Sequence, residues 1–248
     1  MHNAALAAVG LRDWRYQLLP VPPERFEETV RALPRAGFRG ANVTIPHKRA
    51  ALSLADRASE RARAIGAANT LVFGPDPEVI EADNTDAPAV LESLPFAAAG
   101  RTALVLGAGG SARAAVWALL DAAAAEVRVW NRTPSRAVQL CEEFGGGTPV
   151  RAANPADILV HCTSSGLDAS DQMFKGLPLD ADDVSGYDCV VDLLYTDTET
   201  PLVRAARERG IPTVDGLEVL VAQGALSFER FTGVSAPVDM MRAAARAT

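Results

Sequence analysis

Lys48 closes the segment Gly40-Ala-Asn42-Val-Thr44-Ile-Pro46-His-Lys48, which reads as a strand ending in polar groups, a proline that opens a helix, and a lysine in its first turn. A cation there meets the positive end of the helix dipole, so it gives up its proton more readily, which suits acid–base work. Most lysines are solvated surface groups, and spacing alone does not remove Lys48 from that class. Two further polar clusters stand nearby: Gly66-Ala-Ala-Asn69-Thr70 before a strand, and Asp83-Asn84-Thr85-Asp86 before the helical stretch Ala87 to Leu94. Each alone fits an Asx turn or a helix cap. The chemical alternative sets Asp86 beside Lys48, where a carboxylate keeps the ammonium protonated when required and shares the proton transfer. Farther on, the helical pattern that starts at Gly216 puts Gln223 on one side with Leu220 and Ser227. An amide on a partly apolar face needs partners, and either a ligand hydroxyl or solvent can supply them.

A second kind of site is written in glycine. Strand Thr102 to Leu106 runs into Gly107-Ala108-Gly109-Gly110-Ser111-Ala112, then a helical pattern from Arg113 to Leu120 and a second strand ending at Trp130. Glycines let backbone N–H groups approach a pyrophosphate, and the following helix turns its positive end to the same anion. Strand, loop, helix and strand in that order form one βαβ unit, which a plain tight turn does not require. An enzyme that uses NAD usually places an acid after the second strand to bind the ribose hydroxyls. This chain offers Asn131-Arg132-Thr133 and then Arg136. Guanidinium groups suit a 2′-phosphate, so NADP is favoured over NAD; the competing reading is two solvated arginines in a surface turn.

The elements that must position these groups follow from periodicity. Short runs of Val, Leu and Ile alternate with longer helical stretches, the pattern of βαβ units about a parallel sheet, so the fold class is α/β. Strands are expected at Trp14 to Leu19, Arg39 to Thr44, Leu71 to Phe73, Thr102 to Leu106, Val127 to Trp130, Ile158 to His161, Cys189 to Leu193 and Thr213 to Val214. Thr133-Pro134 and Thr200-Pro201 mark helix starts, and Gly145 and Gly210 mark ends. At 248 residues, two domains are expected.

Composition narrows the function classes. A formal charge of −7 gives no bulk attraction to nucleic acid or to an anionic membrane, so any anion site must be local. Cys141, Cys162 and Cys189 lack paired spacing and read as free thiols in a reducing cytoplasm. No apolar run approaches the roughly 18 residues of a membrane span, and the first residues lack the order of a signal peptide. With His2, His47 and His161 as its only histidines, the chain is not expected to build an imidazole-based metal site. Periodicity leaves a monomer and a homodimer equally open.

Taken together and in order, seven segments resemble the shikimate dehydrogenase family: Asn42-Val-Thr44-Ile-Pro46-His-Lys48, Gly66-Ala-Ala-Asn69-Thr70, Asn84-Thr85-Asp86, Gly107-Ala-Gly-Gly-Ser111, Asn131-Arg132-Thr133, Asp192-Leu-Leu-Tyr195 and Gln223-Gly-Ala. The resemblance implies a Rossmann-type domain, residues 87–216, and a smaller substrate domain, residues 1–86 completed by 217–248, with a cleft between them. It implies Lys48 and Asp86 as the catalytic pair. Asn42, Thr44, Asn69, Tyr195 and Gln223 would bind the small-molecule substrate. Gly107, Ala108, Gly109, Gly110, Ser111, Asn131, Arg132, Thr133 and Arg136, with Thr163, Leu193 and Gly216, would hold NADP. The implied reaction interconverts 3-dehydroshikimate and shikimate without a metal, as a step toward the aromatic amino acids. Relatives of broader quinate and shikimate specificity share the same pair, and a catalytically silent NADP(H)-binding regulator is the reading outside enzymes.

Three departures stand against that pattern. The family's first strand and serine loop do not precede Met1-His2-Asn3, which is expected to weaken the hold on the substrate carboxylate and points to a start farther upstream. His161-Cys162-Thr163 stands where relatives more often have Asn-Ala-Thr, and His161 is expected to be a packed or hydrogen-bonded structural histidine. Asp197-Thr-Glu replaces a proline-containing turn.

Overall fold

The computed structural model describes residues 1–166, 172–196 and 198–247. The chain divides into two compact units, Met1–Thr85 with Val221–Thr248, and Asp86–Leu220.

The first unit begins with α1 (His2–Ala8) and α2 (Phe26–Ala32), followed by β1 (Gly40–Asn42), α3 (Lys48–Leu54), β2 (Arg57–Ala58), α4 (Glu60–Ile65), β3 (Thr70–Phe73) and β4 (Ile80–Asp83). Its four strands lie in the order β1-β3-β4-β2; β3 runs antiparallel to β1 and β4, while β2 is parallel to β4. Phe26, Val30, Leu33, Val43, Leu54, Leu71, Phe73 and Ile80 pack a core against this sheet. Helix α4 is punctuated by chemistry: the Ser59 hydroxyl accepts from the Ala62 N–H, and Gly66, at φ 72°, closes the other end in the left-handed conformation.

Two expectations for this unit need correction. Trp14 to Leu19 forms no strand: it has no ladder partner among the described residues, and Leu18 and Leu19 are exposed. What holds it is a pair of bonds at 2.8 Å, Asn3 Nδ2 to the Tyr16 carbonyl and the Tyr16 N–H to Asn3 Oδ1. An apolar run without a neighbouring strand has nothing to satisfy its backbone as a ladder. Conversely, β2 and β4 were not expected, because Ile80-Glu81-Ala82-Asp83 is short and half charged; pairing with β3 buries Ile80 and Ala82 on one face.

The second unit holds α5 (Asp86–Ser93), β5 (Thr102–Leu106), α6 (Gly110–Asp121), β6 (Glu126–Trp130), α7 (Pro134–Phe144), β7 (Thr148–Val150), β8 (Ala156–His161), β9 (Tyr187–Asp192), α8 (Pro201–Glu208) and β10 (Thr213–Val214). The boundary between units falls inside α9 (Gly216–Thr232), and α10 (Val238–Arg246) ends the chain's regular structure. All six strands are parallel, in the order β10-β9-β8-β5-β6-β7. Residues 103–106 of β5 have no exposed surface, as expected of a central strand covered on both faces. The order reverses between β5 and β8, and ligands of such sheets bind beyond the carboxyl ends at that point.

Helix α7 starts and stops where Pro134 and Gly145 say it should, but Thr133 contributes no side-chain cap bond. Thr200 does cap α8, accepting from the Val203 N–H. No helix among the described residues is long and apolar enough to cross a membrane.

Candidate active site

In the first unit the polar residues are organised by Asn69, which is buried at the entrance to β3. Its Oδ1 accepts from the Thr85 N–H at 2.7 Å and from the Thr70 hydroxyl at 3.0 Å. Its Nδ2 donates to Thr85 Oγ1 at 3.0 Å and to Gln223 Oε1 at 3.3 Å. Asn69 and Gln223, expected as substrate-binding residues, therefore meet. Asn42, at the end of β1, accepts on Oδ1 from the Tyr16 hydroxyl at 3.1 Å and from the Ser227 hydroxyl at 3.4 Å. Its Nδ2 is buried and has no partner among the described residues. A buried amide donor left unbonded costs stability unless a ligand oxygen satisfies it. Thr44 is exposed in the loop after β1.

Asp83, the first residue of the polar cluster that contains Asp86, is structural. It is fully buried, and Arg61 holds it through both Nε and Nη2, with Ser59 Oγ and Arg230 Nη1 also within 3.0 Å. Burial alone would raise its pKa, yet the bonds from Arg61 and Ser59 and the charges of Arg61 and Arg230 win and hold it below the ordinary value.

Lys48 is the first residue of α3 and is buried. The expectation that Pro46 opens this helix is corrected: Pro46 follows a cis Ile45–Pro46 bond inside the turn, and His47 stands at the cap position. His47 is anchored by stacking on Phe26, 4.4 Å between centroids, and by Nε2 at 2.9 Å from the Val21 carbonyl. The Lys48 carbonyl accepts from Ala68 N–H at 2.9 Å, which pins the lysine backbone next to the residue preceding Asn69. Asp86 follows Thr85 directly, opens α5 in the second unit and is buried.

The glycine loop of the second unit needs its first glycine. Gly107 has φ 121°, its N–H donates to the Trp130 carbonyl at 2.7 Å, and a Cβ there would lie 3.0 Å from the Cys162 oxygen. Gly109 caps α6 with no side-chain bond. Ala108, Gly109, Gly110 and Ser111 thus bring main chain to the start of a 12-residue helix, a cradle for a phosphate. At the end of β6, Asn131 Nδ2 donates to the Thr133 carbonyl at 2.9 Å and shapes the turn. Arg132 and Arg136 are exposed and form no ion pair among the described residues. The fit to a pyrophosphate and a 2′-phosphate is therefore good.

On the other side of the switch point, the Leu193 N–H donates to the His161 carbonyl at 3.0 Å, and Thr163 lies in the turn after β8. Gly216 is obligatory for packing: a Cβ would sit 2.1 Å from the Leu194 carbonyl oxygen. Tyr195 is 56% exposed, and Asp197 lies outside the described residues. Among the described residues, no group of three or more His, Cys, Asp or Glu is placed to hold a metal ion.

Comparison with known proteins bears on all these groups at once. Family models for the shikimate dehydrogenase substrate-binding domain, for shikimate/quinate 5-dehydrogenase and for the shikimate 5′-dehydrogenase C-terminal domain match residues 1–71, 91–170 and 216–246. A shikimate dehydrogenase (NADP(+)) of Roseobacter denitrificans is 42% identical over 98% of this chain and 91% of its own. The chain belongs to the shikimate dehydrogenase family. A second relative of that name, from Rubrobacter xylanophilus, is 43% identical over 98% of this chain and 89% of its own. The Thermus thermophilus shikimate 5-dehydrogenase, solved in complex with NADP(H) and shikimate, superposes with a TM-score of 0.86 at 38% identity, covering 99% of this chain and 92% of that one. The ligand-free 5-ketofructose reductase of Gluconobacter superposes at 0.84 with 27% identity, covering 99% and 91%.

Within this shikimate dehydrogenase-family chain, sequence reasoning passed over Tyr16 and gave Thr85 no role beyond its place in a polar cluster. Tyr16 orients Asn42, and Thr85 answers both ends of the Asn69 amide. Tyr16 carried no local signal, because its run of residues read as a strand. Ser227 did have one: helical spacing set it on the side of Gln223.

Proposed function

We propose that this chain is an NADP-dependent oxidoreductase that interconverts 3-dehydroshikimate and shikimate, with Lys48 and Asp86 as its acid–base pair. The observation that carries the reading is the Asn69 cluster. It ties the strand pinned to Lys48 through Ala68 to Thr85, the residue before Asp86, and to Gln223. Bound NADPH supplies the hydride that reduces the ring carbonyl. Lys48 gives its proton to the carbonyl oxygen as negative charge develops there and is reprotonated from solvent, while the Asp86 carboxylate holds the ammonium in place. Asn42 Nδ2, Asn69 and Gln223, with Thr44 and Tyr195, hold the ring hydroxyls and the carboxylate, so the carbonyl carbon waits in a near-attack geometry. Gly107 to Ser111 take the pyrophosphate and Arg132 and Arg136 the 2′-phosphate; Asn131 and Thr133 shape that turn, and Thr163, Leu193 and Gly216 line the nicotinamide end.

The test follows NADPH oxidation with 3-dehydroshikimate and measures NADPH binding in parallel, with dehydroquinate and 5-ketofructose as control carbonyls. Turnover with 3-dehydroshikimate well above the controls supports the reading. Comparable turnover with dehydroquinate favours the broader quinate/shikimate specificity, and binding without any turnover favours the silent regulator. The free thiols Cys141, Cys162 and Cys189 suit a reducing cytoplasm, and gel filtration separates a monomer from a homodimer.

A further inference from the structure

The carboxyl ends of β8 and β9 carry a line of side chains centred on a buried pair, His161 and Asp192, that the hydride-transfer reading leaves without a task. His161 is the last residue of β8 and Asp192 the last of β9; they are paired in register and both are fully buried. His161 Nδ1 lies 2.8 Å from Asp192 Oδ1, and His161 Nε2 lies 2.7 Å from the Thr163 hydroxyl. The Thr200 hydroxyl donates to Asp192 Oδ2 at 2.6 Å, and the Leu194 N–H donates to Oδ1 at 3.0 Å. Thr163 Oγ1 accepts from the Ser165 N–H at 3.1 Å.

The directions of these bonds follow from what each atom can do. Asp192 accepts throughout, so His161 Nδ1 donates to Oδ1. The Thr163 hydroxyl bonds to Nε2 while its oxygen accepts from the Ser165 N–H. A rigid imidazole fills this slot because its two nitrogens reach Asp192 and Thr163 at once. Both ring nitrogens are used and the ring has no exposed surface, so His161 touches no substrate.

What the line holds is more telling than its burial. One end fixes the turn after β8, Thr163 to Ser165, and the other fixes the turn after β9, Leu193 to Leu194. Both turns lie on the β8–β9 side of the switch point, and the first adjoins the glycine loop, since Cys162 backs onto Gly107. A dinucleotide spans the two halves of such a sheet. With the phosphate cradle and Arg132 on the β5–β6 side, the nicotinamide half belongs to the two turns that this line sets.

We infer that His161 is a positioning residue for the nicotinamide half of NADP: through Asp192 and Thr163 it orders both turns before the cofactor arrives. The inference rests on the NADP reading above. A site ordered in advance does not take the cost of ordering from the binding energy, so losing the relay weakens binding without touching the chemistry.

The experiment uses the full chain and four proteins: wild type, His161→Leu, His161→Asn and Thr163→Val. NADPH affinity is read by fluorescence titration without substrate, turn order by amide hydrogen exchange in cofactor-free protein, and KM and kcat in the steady state. His161→Leu is expected to raise the Kd and KM for NADPH roughly tenfold, with kcat and the KM for 3-dehydroshikimate within about twofold of wild type. Exchange should quicken in both turns. His161→Asn, which can donate and accept, should recover most of the affinity. Thr163→Val should quicken exchange only in the first turn, a readout of the turn's own order that a lost cofactor contact does not produce. If His161→Leu fails to fold, His161→Asn and Thr163→Val still decide. Unchanged exchange at 163–165 in cofactor-free Thr163→Val, or His161→Leu with wild-type NADPH affinity, overturns the inference while leaving the NADP reading intact. No NADPH binding by the wild type overturns both.

Discussion

The two units present ligand-binding groups in opposite ways. In the first, side chains bond to side chains: Asn69 reaches Thr70, Thr85 and Gln223, and Asn42 is turned by Tyr16 and Ser227. In the second, the phosphate cradle is main chain, shaped by the φ of Gly107 and the bare cap at Gly109, with side chains acting mainly from behind. The contrast teaches that one site is specified by residue identity at widely separated positions and the other by backbone freedom at consecutive ones. Substitutions in the first unit should therefore alter chemistry and substrate affinity while sparing the cofactor. Those in the glycine loop and at Arg132 of the second unit should do the reverse.

The largest effect expected is at Lys48. Lys48→Ala should lower kcat by about two to four orders of magnitude, the scale of positioned acid–base catalysis, with NADPH affinity nearly unchanged. A kcat near wild type removes Lys48 from the mechanism. Gly107→Ala comes next. It forces a side chain into φ 121° and against the Cys162 oxygen, and strain of about 1–3 kcal/mol should weaken NADPH binding by roughly tenfold or more. Gly109→Ala is the internal control: at φ −86° with nothing near a Cβ, it should stay within about threefold of wild type. Equal effects at both glycines break the claim that backbone conformation carries the cradle.

Asn69→Ala sharpens the other half of the comparison. It leaves the Thr85 N–H without its buried acceptor, a cost of about 1–3 kcal/mol in stability, and it should raise the KM for 3-dehydroshikimate about tenfold. NADPH titration should be unaffected; a parallel loss of cofactor affinity means the units do not divide their tasks. Arg132→Ala should raise the NADPH Kd about fivefold and leave NADH alone, because an exposed guanidinium contributes only about 1 kcal/mol to a phosphate contact.

The same division explains what the sequence disclosed. The parallel unit was readable in five of its six strands, because those segments are apolar runs and its loop is five consecutive residues, Gly107 to Ser111; the edge strand β7, Thr148-Pro-Val150, was missed because it is short and carries a proline. The first unit was readable only in part. β4 alternates apolar with acidic residues over four positions and takes its strand character from β3, while Trp14 to Leu19 has the composition of a strand and no partner. The Asn69–Gln223 bond joins residues 154 positions apart, so no local pattern could announce it. Family resemblance named both residues, but gave Thr85 no role as the partner of Asn69 and did not point to Tyr16, which orients Asn42. His161 was rightly expected to be structural; what it links came only from the geometry.

The smallest effect tests whether Asp83 is scaffold and nothing more. Arg230 is over a third exposed, and Arg61 keeps its two-point hold on Asp83 without it. At pH 7, Arg230→Met should therefore cost no more than about 1 kcal/mol in denaturant unfolding and leave both KM values unchanged. The pH dependence has a definite sign. Although burial opposes ionisation, Arg61, Ser59 and Arg230 depress the carboxyl below its value of 3.8, so their stabilisation is fully present above that pH. It is lost as pH falls through the lower folded value, where the carboxyl takes up its proton. Wild type and Arg230→Met should accordingly differ in stability at neutral pH and converge on acidification below about pH 4. A gap that persists or widens in acid means that Arg230 stabilises through packing of its stem against α9's neighbours, and not through the charge of Asp83.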